Sequence, residues 1–505
     1  MARIVIIGAG MSGLAAASRL ATIGHRVTVC EAGGGYGGMV GRYERDGFAF
    51  DTGPGLLPLP AVYRDLALKT GKEPLEQLVE LAPVEPESRH VFPDGTVVTL
   101  PNASRGGVGQ ALDSAFGAGS GARWSAVMNH GRTVWEVTRR PLLEEPLPAE
   151  RGILAPADRA LLGTDPYPTP PRTGLARLRR PRPWSLEQVA RHELDGHPGL
   201  TALLFEPAVR YGFTPAEAPA GATVLPYMEQ SFGVWYVRGG LRALADAVFR
   251  RCELRGVEFR FDTPVTRVVV EDGRAAGVET ADGRIDADLV ISAMDTNAFF
   301  RHGLAEWPGL PVDHWEPQEV PGRFSVLLAL RGARPEGTAH RTVVHAADPS
   351  AEANALTLSV PPCERPTVQV LRPDDPELRP DDAHESVVLT ATVPALDGFD
   401  WTAPGVADRY ADQLLAHVDA AGLGLRERVL WRVVRTPEDT RRETGTLAGA
   451  VARPVLAGSS GSWFKAANES PVPGLYLIGG NAHPGGGLAR VGMSACITAG
   501  LIGPA

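Results

Sequence analysis

The sequence contains very little lysine. Lys69, Lys72 and Lys465 are its only lysines, so arginine supplies nearly all of its positive charge, a bias typical of GC-rich bacterial coding sequences. The formal net charge of −9 at pH 7 gives no general basis for holding a nucleic-acid backbone, which proteins bind with clustered Lys and Arg. We therefore expect no nucleic-acid partner.

Cysteine and long apolar runs are also scarce. Cys30, Cys252, Cys363 and Cys496 are scattered, without the paired spacing of a metal site or the density of a disulfide framework. We therefore expect no bound metal. We also expect the thiols to be reduced, in a cytoplasmic setting. No window approaches the ~18 to 20 uninterrupted apolar residues of a spanning helix, so any membrane contact must be peripheral. The opening "MARIVIIGAG" lacks the regions of a signal peptide, and export is not indicated.

The chain opens with a β-α-β pattern. Its length of 505 residues predicts two or three interlocked domains. Residues 3–7 form a short apolar run, "MSGLAAASRLATIGH" has helical spacing, and "RVTVCEA" returns to a strand. Such a unit packs right-handed into a parallel sheet. Further on, "GLRALADAVFRRCELRG" predicts an amphipathic helix, and residues 257–293 alternate as strands and hairpins do.

A glycine fingerprint lies inside this unit. Gly8, Gly10 and Gly13 form G-x-G-x-x-G between the strand and the helix, and Glu31 closes the second strand. The glycines permit a tight turn, a close approach to a pyrophosphate and close packing of helix on strand. The helix N-terminus offers N–H groups and partial positive charge to phosphates. Glu31 can accept hydrogen bonds from an adenosine ribose, which argues against NADP.

A second glycine-rich loop follows the acid directly, in "EAGGGYGGMVGRYERDGFAFDTGPG". NAD-binding folds do not need this extension. The stretch resembles the FAD-containing superfamily of amine oxidases, phytoene desaturases and protoporphyrinogen oxidases, in which the second loop lies along the pyrophosphate and ribityl chain. That superfamily usually has arginine directly after the paired glycines, where this chain has Met39, so we expect Arg42 to supply the charge.

A third glycine-rich stretch lies near the end of the chain, in "NAHPGGGLARVGMSA". A buried strand over residues 475–478 ends at Gly479 and Gly480, and residues 485–487 open a predicted helix. N–H groups at the start of such a helix can stabilise negative charge on a reduced flavin ring. The alternative is a plain turn before a packing helix. We expect one glycine-rich end of the chain to hold the phosphates and the other to hold the flavin.

The resemblance narrows to one branch of the superfamily. "GVWYVRGGLRALADAV", "FDTGPGLL" and "NAHPGGGLARVGMSACITAGLI" are most similar to the phytoene desaturase and carotenoid isomerase branch, although residues 85–230 match poorly. The resemblance implies that Val265 contacts adenine through its backbone. Gly480 stands where many members carry an acid, which leaves the ribityl or phosphate contact to backbone or to Asn481.

The resemblance implies an α/β fold of two parts. A Rossmann-like FAD-binding domain of the GR2 flavoprotein type (1–85, 233–296 and 432–505) is interleaved with a mixed α+β substrate-binding or cap domain (86–232 and 297–431). The residues expected to bind the cofactor are Gly8, Gly10, Met11, Ser12, Gly13, Glu31, Ala32, Gly37, Gly38, Met39, Arg42, Thr52, Gly53, Pro54, Val265, Gly479, Gly480, Asn481, Gly487, Leu488 and Ala489.

The implied reaction is a dehydrogenation of adjacent carbons in an apolar polyene, isoprenoid or related secondary metabolite, or its aromatisation or isomerisation. A hydride goes to the flavin and a proton leaves to a base or to solvent, so no conspicuous catalytic triad is expected. His483, the only histidine in a flavin-proximal motif, could accept or relay that proton, or it could merely shape the turn before Pro484. Without a second nucleotide site, we expect electrons to leave for oxygen, a quinone or another external acceptor.

Two other functions stay open. A flavin amine oxidase would present an aromatic cage and a lysine near the flavin, and Lys465 is the sole candidate in the C-terminal half. A non-catalytic prenyl binder of the GDP-dissociation-inhibitor type would share the fold, but two intact flavin loops argue against it.

The segment from 141 to 184 is rich in proline and arginine, so long regular elements are not expected there. Its basic part, residues 172–184, favours a solvated loop because its prolines prevent a continuous amphipathic helix. The alternative is a peripheral contact with an anionic membrane surface.

Overall fold

The structure is a computed structural model, and it describes residues 1–150, 153–169, 183–306, 308, 321–357, 361–396, 398–458 and 466–505. Two features singled out in the sequence lie outside the described residues. They are most of the basic segment 172–184 and Lys465, the candidate flavin-proximal lysine. Among the described residues, none of the helices is both long enough and apolar enough to cross a bilayer.

The secondary structure alternates strands and helices along the chain. The strands are β1 Arg3–Ile7, β2 Arg26–Cys30, β3 Arg42–Arg45, β4 Phe48–Asp51, β5 Leu57–Pro58, β6 Leu81–Pro83, β7 Ser88–Val91, β8 Val97–Leu100, β9 Ala149–Glu150, β10 Ile153–Leu154, β11 Val234–Val237, β12 Glu258–Arg260, β13 Val265–Glu271, β14 Arg274–Thr280, β15 Gly283–Asp286, β16 Leu289–Ser292, β17 Gly322–Arg331, β18 Arg341–Val344, β19 Val368–Leu371, β20 His384–Val393, β21 Val429–Arg435 and β22 Leu475–Leu477. The α-helices are α1 Met11–Thr22, α2 Ala61–Gly71, α3 Arg105–Phe116, α4 Ser120–Arg139, α5 Pro156–Leu162, α6 Leu186–Glu193, α7 Pro198–Arg210, α8 Val224–Phe232, α9 Leu241–Leu254, α10 Thr296–Arg301, α11 Pro349–Thr357, α12 Val406–Ala420, α13 Pro437–Thr444 and α14 Leu488–Ile502.

The first sheet is parallel, and its strands run in the order β12-β2-β1-β16-β22. Strand β1 lies at its centre, where four of its five residues are buried, as expected for a strand covered on both faces. Helix α1 packs against α9 and α14. Strands from both ends of the chain therefore place their carboxyl ends along one edge of this sheet.

The second sheet is mixed and has the order β21-β17-β20-β19-β18-β7-β8. The side chains of β17 alternate between two cores, because successive residues of a strand point to opposite faces. Val326 and Leu328 face the core formed with α12, whereas Leu327 and Ala329 face the core formed with the β3–β4 hairpin. This sheet is therefore covered on both faces.

A helical layer packs beside the second sheet. Helices α3, α4, α6, α7 and α8 share one apolar core, to which Trp124, Leu203 and Leu225 contribute fully or nearly buried side chains. Smaller sheets complete the fold, with the orders β5-β11-β6, β13-β14-β15, β3-β4 and β10-β9.

The prediction of an α/β fold, in which a Rossmann-like parallel sheet is interleaved with a mixed α+β part, is confirmed. Between 141 and 184 the described residues form only short elements, β9, β10 and α5, together with the end of a helical turn. The proposed domain boundaries stay a prediction. The one at residue 432 falls inside β21, which pairs with β17 of the second sheet.

Candidate functional site

The first glycine loop connects β1 to α1. The amide of Gly8 donates to the carbonyl of Cys30 at 2.8 Å, which fixes the turn to the neighbouring strand. A Cβ atom at Gly13 would lie 2.1 Å from the carbonyl oxygen of Gly8, so only glycine lets the helix start this close to the strand. Helix α1 has no side-chain cap at Gly10, and its first-turn amides stay available to an anion.

Glu31 lies beside this loop. One carboxylate oxygen accepts a hydrogen bond from the amide of Ala9 at 2.7 Å, and the other accepts from the amide of Gly33 at 2.9 Å. The carboxylate therefore ties the first glycine loop to the start of the second. Because each carboxylate oxygen can accept more than one hydrogen bond, capacity remains for ribose hydroxyls.

The second glycine loop packs directly on the first. The amide of Gly37 donates to the carbonyl of Ala9 at 2.9 Å, and a Cβ atom at Gly38 would lie 3.1 Å from the Cα atom of Gly10. Both Gly37 and Gly38 have positive φ angles, of 107° and 56°. Two glycine-rich backbones thus meet without side chains between them.

The "DTGP" motif folds against the same loop. A Cβ atom at Gly53 would lie 1.8 Å from the carbonyl oxygen of Met39, and the amide of Thr52 donates to the carbonyl of Gly41 at 3.0 Å. Met39 therefore contacts the "DTGP" motif through its backbone, while its side chain is exposed.

Arg42 points to a different partner from the one expected. Its guanidinium donates to the carbonyl of Gly239 at 2.9 Å and pairs with Glu44 at 2.6 Å, so the cofactor role of Arg42 stays a prediction. Arg242 contacts the second loop instead, because it donates to the carbonyl of Tyr36 at 2.8 Å. We did not single out Arg242 from the sequence, although it stands in the quoted motif "GVWYVRGGLRALADAV".

Asp51 joins two of the motifs found in the sequence. Its carboxylate caps helix α9 by accepting hydrogen bonds from the amides of Leu241 at 3.0 Å and Arg242 at 3.4 Å. Burial raises the pKa of Asp51 to about 6, against the lowering effect of these two amides. The glycine pair before the helix is needed here, since a Cβ atom at Gly240 would lie 2.7 Å from the carboxylate.

The segment before Val265 pairs with the turn that follows β2. The amide of Thr263 donates to the carbonyl of Glu31 at 2.8 Å, and the amide of Asp262 donates to the carbonyl of Gly33 at 3.1 Å. Val265 follows immediately as the first residue of β13. Its predicted contact with adenine, and the role of Ala32 within the same turn, stay predictions.

The C-terminal glycine loop lies next to the first one. The amide of Gly479 donates to the hydroxyl of Ser494 at 3.2 Å, and a Cβ atom at Gly479 would lie 3.4 Å from the hydroxyl oxygen of Ser12. This contact joins the end of β22 to the start of α1. Helix α14 also packs on α1, so the two ends of the chain lie side by side.

The glycine triplet itself approaches another part of the chain. A Cβ atom at Gly486 would lie 1.8 Å from the carbonyl oxygen of Ala452, and the Gly486 amide donates to the carbonyl of Arg453 at 2.9 Å. A Cβ atom at Gly480 would lie 2.6 Å from the Cβ atom of Ala452. Gly480 and Gly486 thus lie against residues 452–453, and the expected cofactor contacts of Gly479, Gly480 and Gly487 stay predictions. Gly487 faces the Tyr211 hydroxyl, 3.1 Å from where its Cβ atom would lie.

Asn481 is engaged with a neighbouring acid. Its side chain hydrogen-bonds Asp295, which also caps helix α10 through the amides of Asn297 at 2.8 Å and Ala298 at 3.2 Å. Burial raises the pKa of Asp295, and these hydrogen bonds oppose that effect. The expected contact of Asn481 with the ribityl or phosphate region stays a prediction, as do the assignments of Met11, Pro54, Leu488 and Ala489.

His483 is fully buried. Its imidazole Nε2 lies 3.0 Å from the carbonyl oxygen of Glu145, and its own carbonyl accepts from the Asn468 amide group at 2.9 Å. Burial lowers the pKa of His483 to about 4, so the ring is neutral near pH 7. These contacts favour the turn-shaping role, and a catalytic role stays a prediction.

A buried charge cluster, formed by Glu87, Glu206, Arg210, Glu229 and Arg341, lies between the second sheet and the helical layer. Arg341 on β18 lies 2.5 Å from Glu87, 3.3 Å from Glu206 and 3.4 Å from Glu229. Arg210 on α7 pairs with Glu229 on α8 at 2.5 Å. The cluster therefore ties two helices to the sheet that supports them.

A pair of histidines extends this cluster. His90 lies 3.0 Å from His345 through facing ring nitrogens and 2.9 Å from the hydroxyl of Ser88, which in turn contacts Glu87. Burial lowers the pKa of His345 to about 4 and the pKa of His90 well below its ordinary value, so this pair is neutral at pH 7. Sequence reasoning missed all of these residues, because they come from distant parts of the chain.

The first and the C-terminal glycine loops together fit a long dinucleotide. Uncapped helix starts at Gly10 and Gly487 offer free amides at two points of one sheet edge, and Glu31 holds the turn beside the first. The bare backbones at the first and second loops leave no side chain in the way of a pyrophosphate.

Comparisons with known proteins agree with this geometry. Residues 11–323 match the family described as flavin containing amine oxidoreductase. The chain is 28% identical to a 4,4'-diapolycopene oxygenase of a Methylomonas species over 97% of this chain and 96% of that protein. It is 29% identical to an all-trans-zeta-carotene desaturase of Myxococcus xanthus over 98% and 92% of the two chains. The solved structure of a putrescine oxidase shares the fold with a TM-score of 0.64, at 16% identity over 99% of both chains.

Proposed function

This chain belongs to the flavin containing amine oxidoreductase family, and from that premise we propose that it removes two hydrogens from adjacent carbons of an apolar polyene. The predicted resemblance to the phytoene desaturase branch is confirmed by relatives that match over nearly the whole chain. The cofactor is FAD, as expected. The single observation that carries the choice of substrate is that full-length match, since both relatives named above have carotenoid substrates in their names.

The glycine loops are the residues that would hold FAD. Amides at the start of α1 would bind the pyrophosphate, Glu31 the ribose, and the start of α14 the flavin ring. The bound flavin would supply the capacity to accept a hydride from carbon. The chain's own contribution would be to orient the substrate and to exclude water.

The helical layer beside the second sheet supports an apolar substrate. Met228 and Leu456 belong to its buried core, and both also line a cavity that reaches Arg490 on α14. An apolar substrate that packs against this layer would lie close to the C-terminal glycine loop. Oxygen, a quinone or another external molecule would then accept the electrons, as expected from the sequence.

A bleaching screen tests this proposal. Purified protein is expected to be yellow, and its flavin absorption is expected to bleach anaerobically when phytoene or another apolar polyene is added. Bleaching by amines and not by polyenes would favour the amine oxidase, and colourless protein that refuses added FAD would favour the non-catalytic prenyl binder. Ring dienes belong in the same screen, because an aromatising enzyme would be reduced by them.

A second candidate function is oxygenation of the polyene, which the name of the Methylomonas relative favours. Product mass separates the two reactions. A desaturation product is lighter by two hydrogens, whereas an oxygenation product made under isotopically labelled dioxygen carries the label.

A further inference from the structure

Helix α14 begins with positive charge and no acid to balance it. Gly487 supplies no side-chain cap, and the first turn of the helix contains no acidic residue. It contains Arg490 instead, whose Nη1 atom lies 3.6 Å from where a Cβ atom of Gly487 would lie. Because the N-terminus of a helix carries partial positive charge, a guanidinium at this end places like charges together.

Arg490 is also buried without an acidic partner. It is only 8% exposed, and no carboxylate among the described residues forms an ion pair with it. Its contacts are a hydrogen bond with the side chain of Tyr211 and, at 4.0 Å, the sulfur of Met228. Burial lowers the pKa of Arg490, yet a guanidinium stays protonated in proteins. Buried cations are almost always paired, because an unpaired one loses its hydration without compensation.

The space on one side of Arg490 is too small for an organic anion. A cavity between α4, α8 and residues 455–457 borders the guanidinium, and its free volume is about 20 Å³. That volume accommodates about one water molecule. We therefore expect the compensating negative charge at the Gly487 loop and not in this cavity.

From this arrangement we propose that Arg490, together with the first-turn amides of α14, stabilises the negative charge that the flavin ring gains on reduction. The inference deepens the proposed function and rests on it, since it takes the flavin ring to lie at this loop. A hydride that leaves the substrate brings two electrons and one proton to the ring and so adds one negative charge, and the second hydrogen leaves as a proton to a base or to solvent. The oxidised ring is neutral, so the guanidinium favours the reduced state of the cofactor.

Redox titration of the FAD-loaded protein tests this role. An opposite charge within about 4 to 6 Å shifts an ionisation equilibrium by about 10- to 1,000-fold. We expect Arg490→Met to weaken the preference of the protein for reduced over oxidised FAD by about 10- to 100-fold, which lowers the midpoint potential of the two-electron couple by about 30 to 60 mV. Binding of oxidised FAD should stay close to that of the wild type, and Arg490→Lys should keep most of the wild-type potential, because it keeps the charge.

Arg139→Met is the matched control. Arg139 borders the same cavity, but it pairs with Glu144 at 3.2 Å and its side chain is 48% exposed. Its charge is therefore already balanced and screened, and its removal should leave the midpoint potential unchanged. Equal potentials in Arg490→Met and the wild type would overturn the inference, and so would equal shifts in Arg490→Met and Arg139→Met.

The wild-type protein gives a second measurement, which does not depend on whether the variants fold. Reduction takes up one proton when the reduced ring stays anionic and two when it becomes neutral, so the midpoint potential falls half as steeply with pH for the anion. We expect the wild type to keep the shallow slope to a lower pH than free FAD does. The same transition in the protein and in free FAD would overturn the inference.

These measurements separate the role of Arg490 from the proposed function. A lowered potential in Arg490→Met, in a protein whose flavin no polyene bleaches, would support the role of Arg490 and contradict the desaturase. Bleaching by a polyene, with an unchanged potential in Arg490→Met, would do the reverse.

Discussion

The guanidinium of Arg341 on β18 lies 2.5 Å from the carboxylate of Glu87, and both groups are buried. The two residues are far apart in the sequence, and the pair holds the second sheet against helices that carry Glu206 and Glu229. Breaking such a pair leaves a buried charge without its partner. This relationship gives the first of four predictions.

Replacing Arg341 with methionine should lower the free energy of unfolding by about 3 to 5 kcal/mol, because Glu87 and Glu206 lose their buried cation. Chemical denaturation of the FAD-loaded protein measures this change. Arg132→Met is the control, since Arg132 pairs with Glu136 at 2.7 Å with both side chains 57% exposed, and it should change stability by less than about 1 kcal/mol. Equal effects in the two variants would contradict the structural role of the cluster.

Glu352 should make stability depend on pH. Its carboxylate is buried and accepts from the amide and hydroxyl of Thr367 at 2.7 and 2.9 Å, and burial raises its pKa from 4.5 to about 7. Between these values the folded protein binds a proton that the unfolded chain has released. Stability from this group is therefore present at low pH and is lost as pH rises from about 4.5 to 7.

The variant Glu352→Gln lacks this titration. Relative to wild type, its free energy of unfolding should therefore increase by up to about 3 kcal/mol between pH 4.5 and 7.5, given 1.36 kcal/mol per pKa unit. Denaturation midpoints across this range provide the measurement. A difference between the two proteins that stays constant with pH would show that folding does not shift the pKa of Glu352.

Gly13→Ala should prevent FAD from binding normally. The added Cβ atom would lie 2.1 Å from the Gly8 carbonyl oxygen, so strand and helix must separate at the phosphate-binding turn. Overpacking of about 1 to 3 kcal/mol predicts a loss of FAD affinity of roughly 10- to 100-fold. The ratio of flavin to protein absorbance in the purified protein measures this loss of FAD affinity. Gly35→Ala is the control, because no atom lies within 4 Å of its added Cβ, and it should stay as yellow as wild type.

His483→Gln should leave the chemistry largely intact. The native ring is buried, neutral and held by the Glu145 carbonyl, and its pKa of about 4 makes it a weak base. Removing a true general base typically costs about 10²- to 10⁴-fold in rate, whereas we expect less than about tenfold and a lowered melting temperature. The rate of anaerobic flavin reduction, measured by stopped-flow, distinguishes these two outcomes. A larger loss, together with a vanished inflection in the pH profile, would restore His483 as the proton acceptor.

Much of the glycine-loop geometry followed from the sequence. The positions of Gly8, Gly10 and Gly13 between an apolar strand and a helix predict a phosphate-binding turn, because a backbone that must pass so close to another tolerates no side chain. The final glycine-rich stretch was predicted to meet the first, and Gly479 does lie against Ser12. These signals are local, since each is complete within about thirty residues.

Other relationships could not be seen without the fold. The partners of Arg341, the approach of Gly486 to Ala452 and the cavity around Arg490 each join segments far apart in the chain. A sequence pattern states which residues are apolar or charged, but pairing depends on which strands become neighbours and on how the helices pack. The amino-acid sequence by itself thus determined the fold class, the glycine-rich turns and the family. Only the tertiary structure decided which charges are satisfied, because burial and distance exist only once distant segments have met.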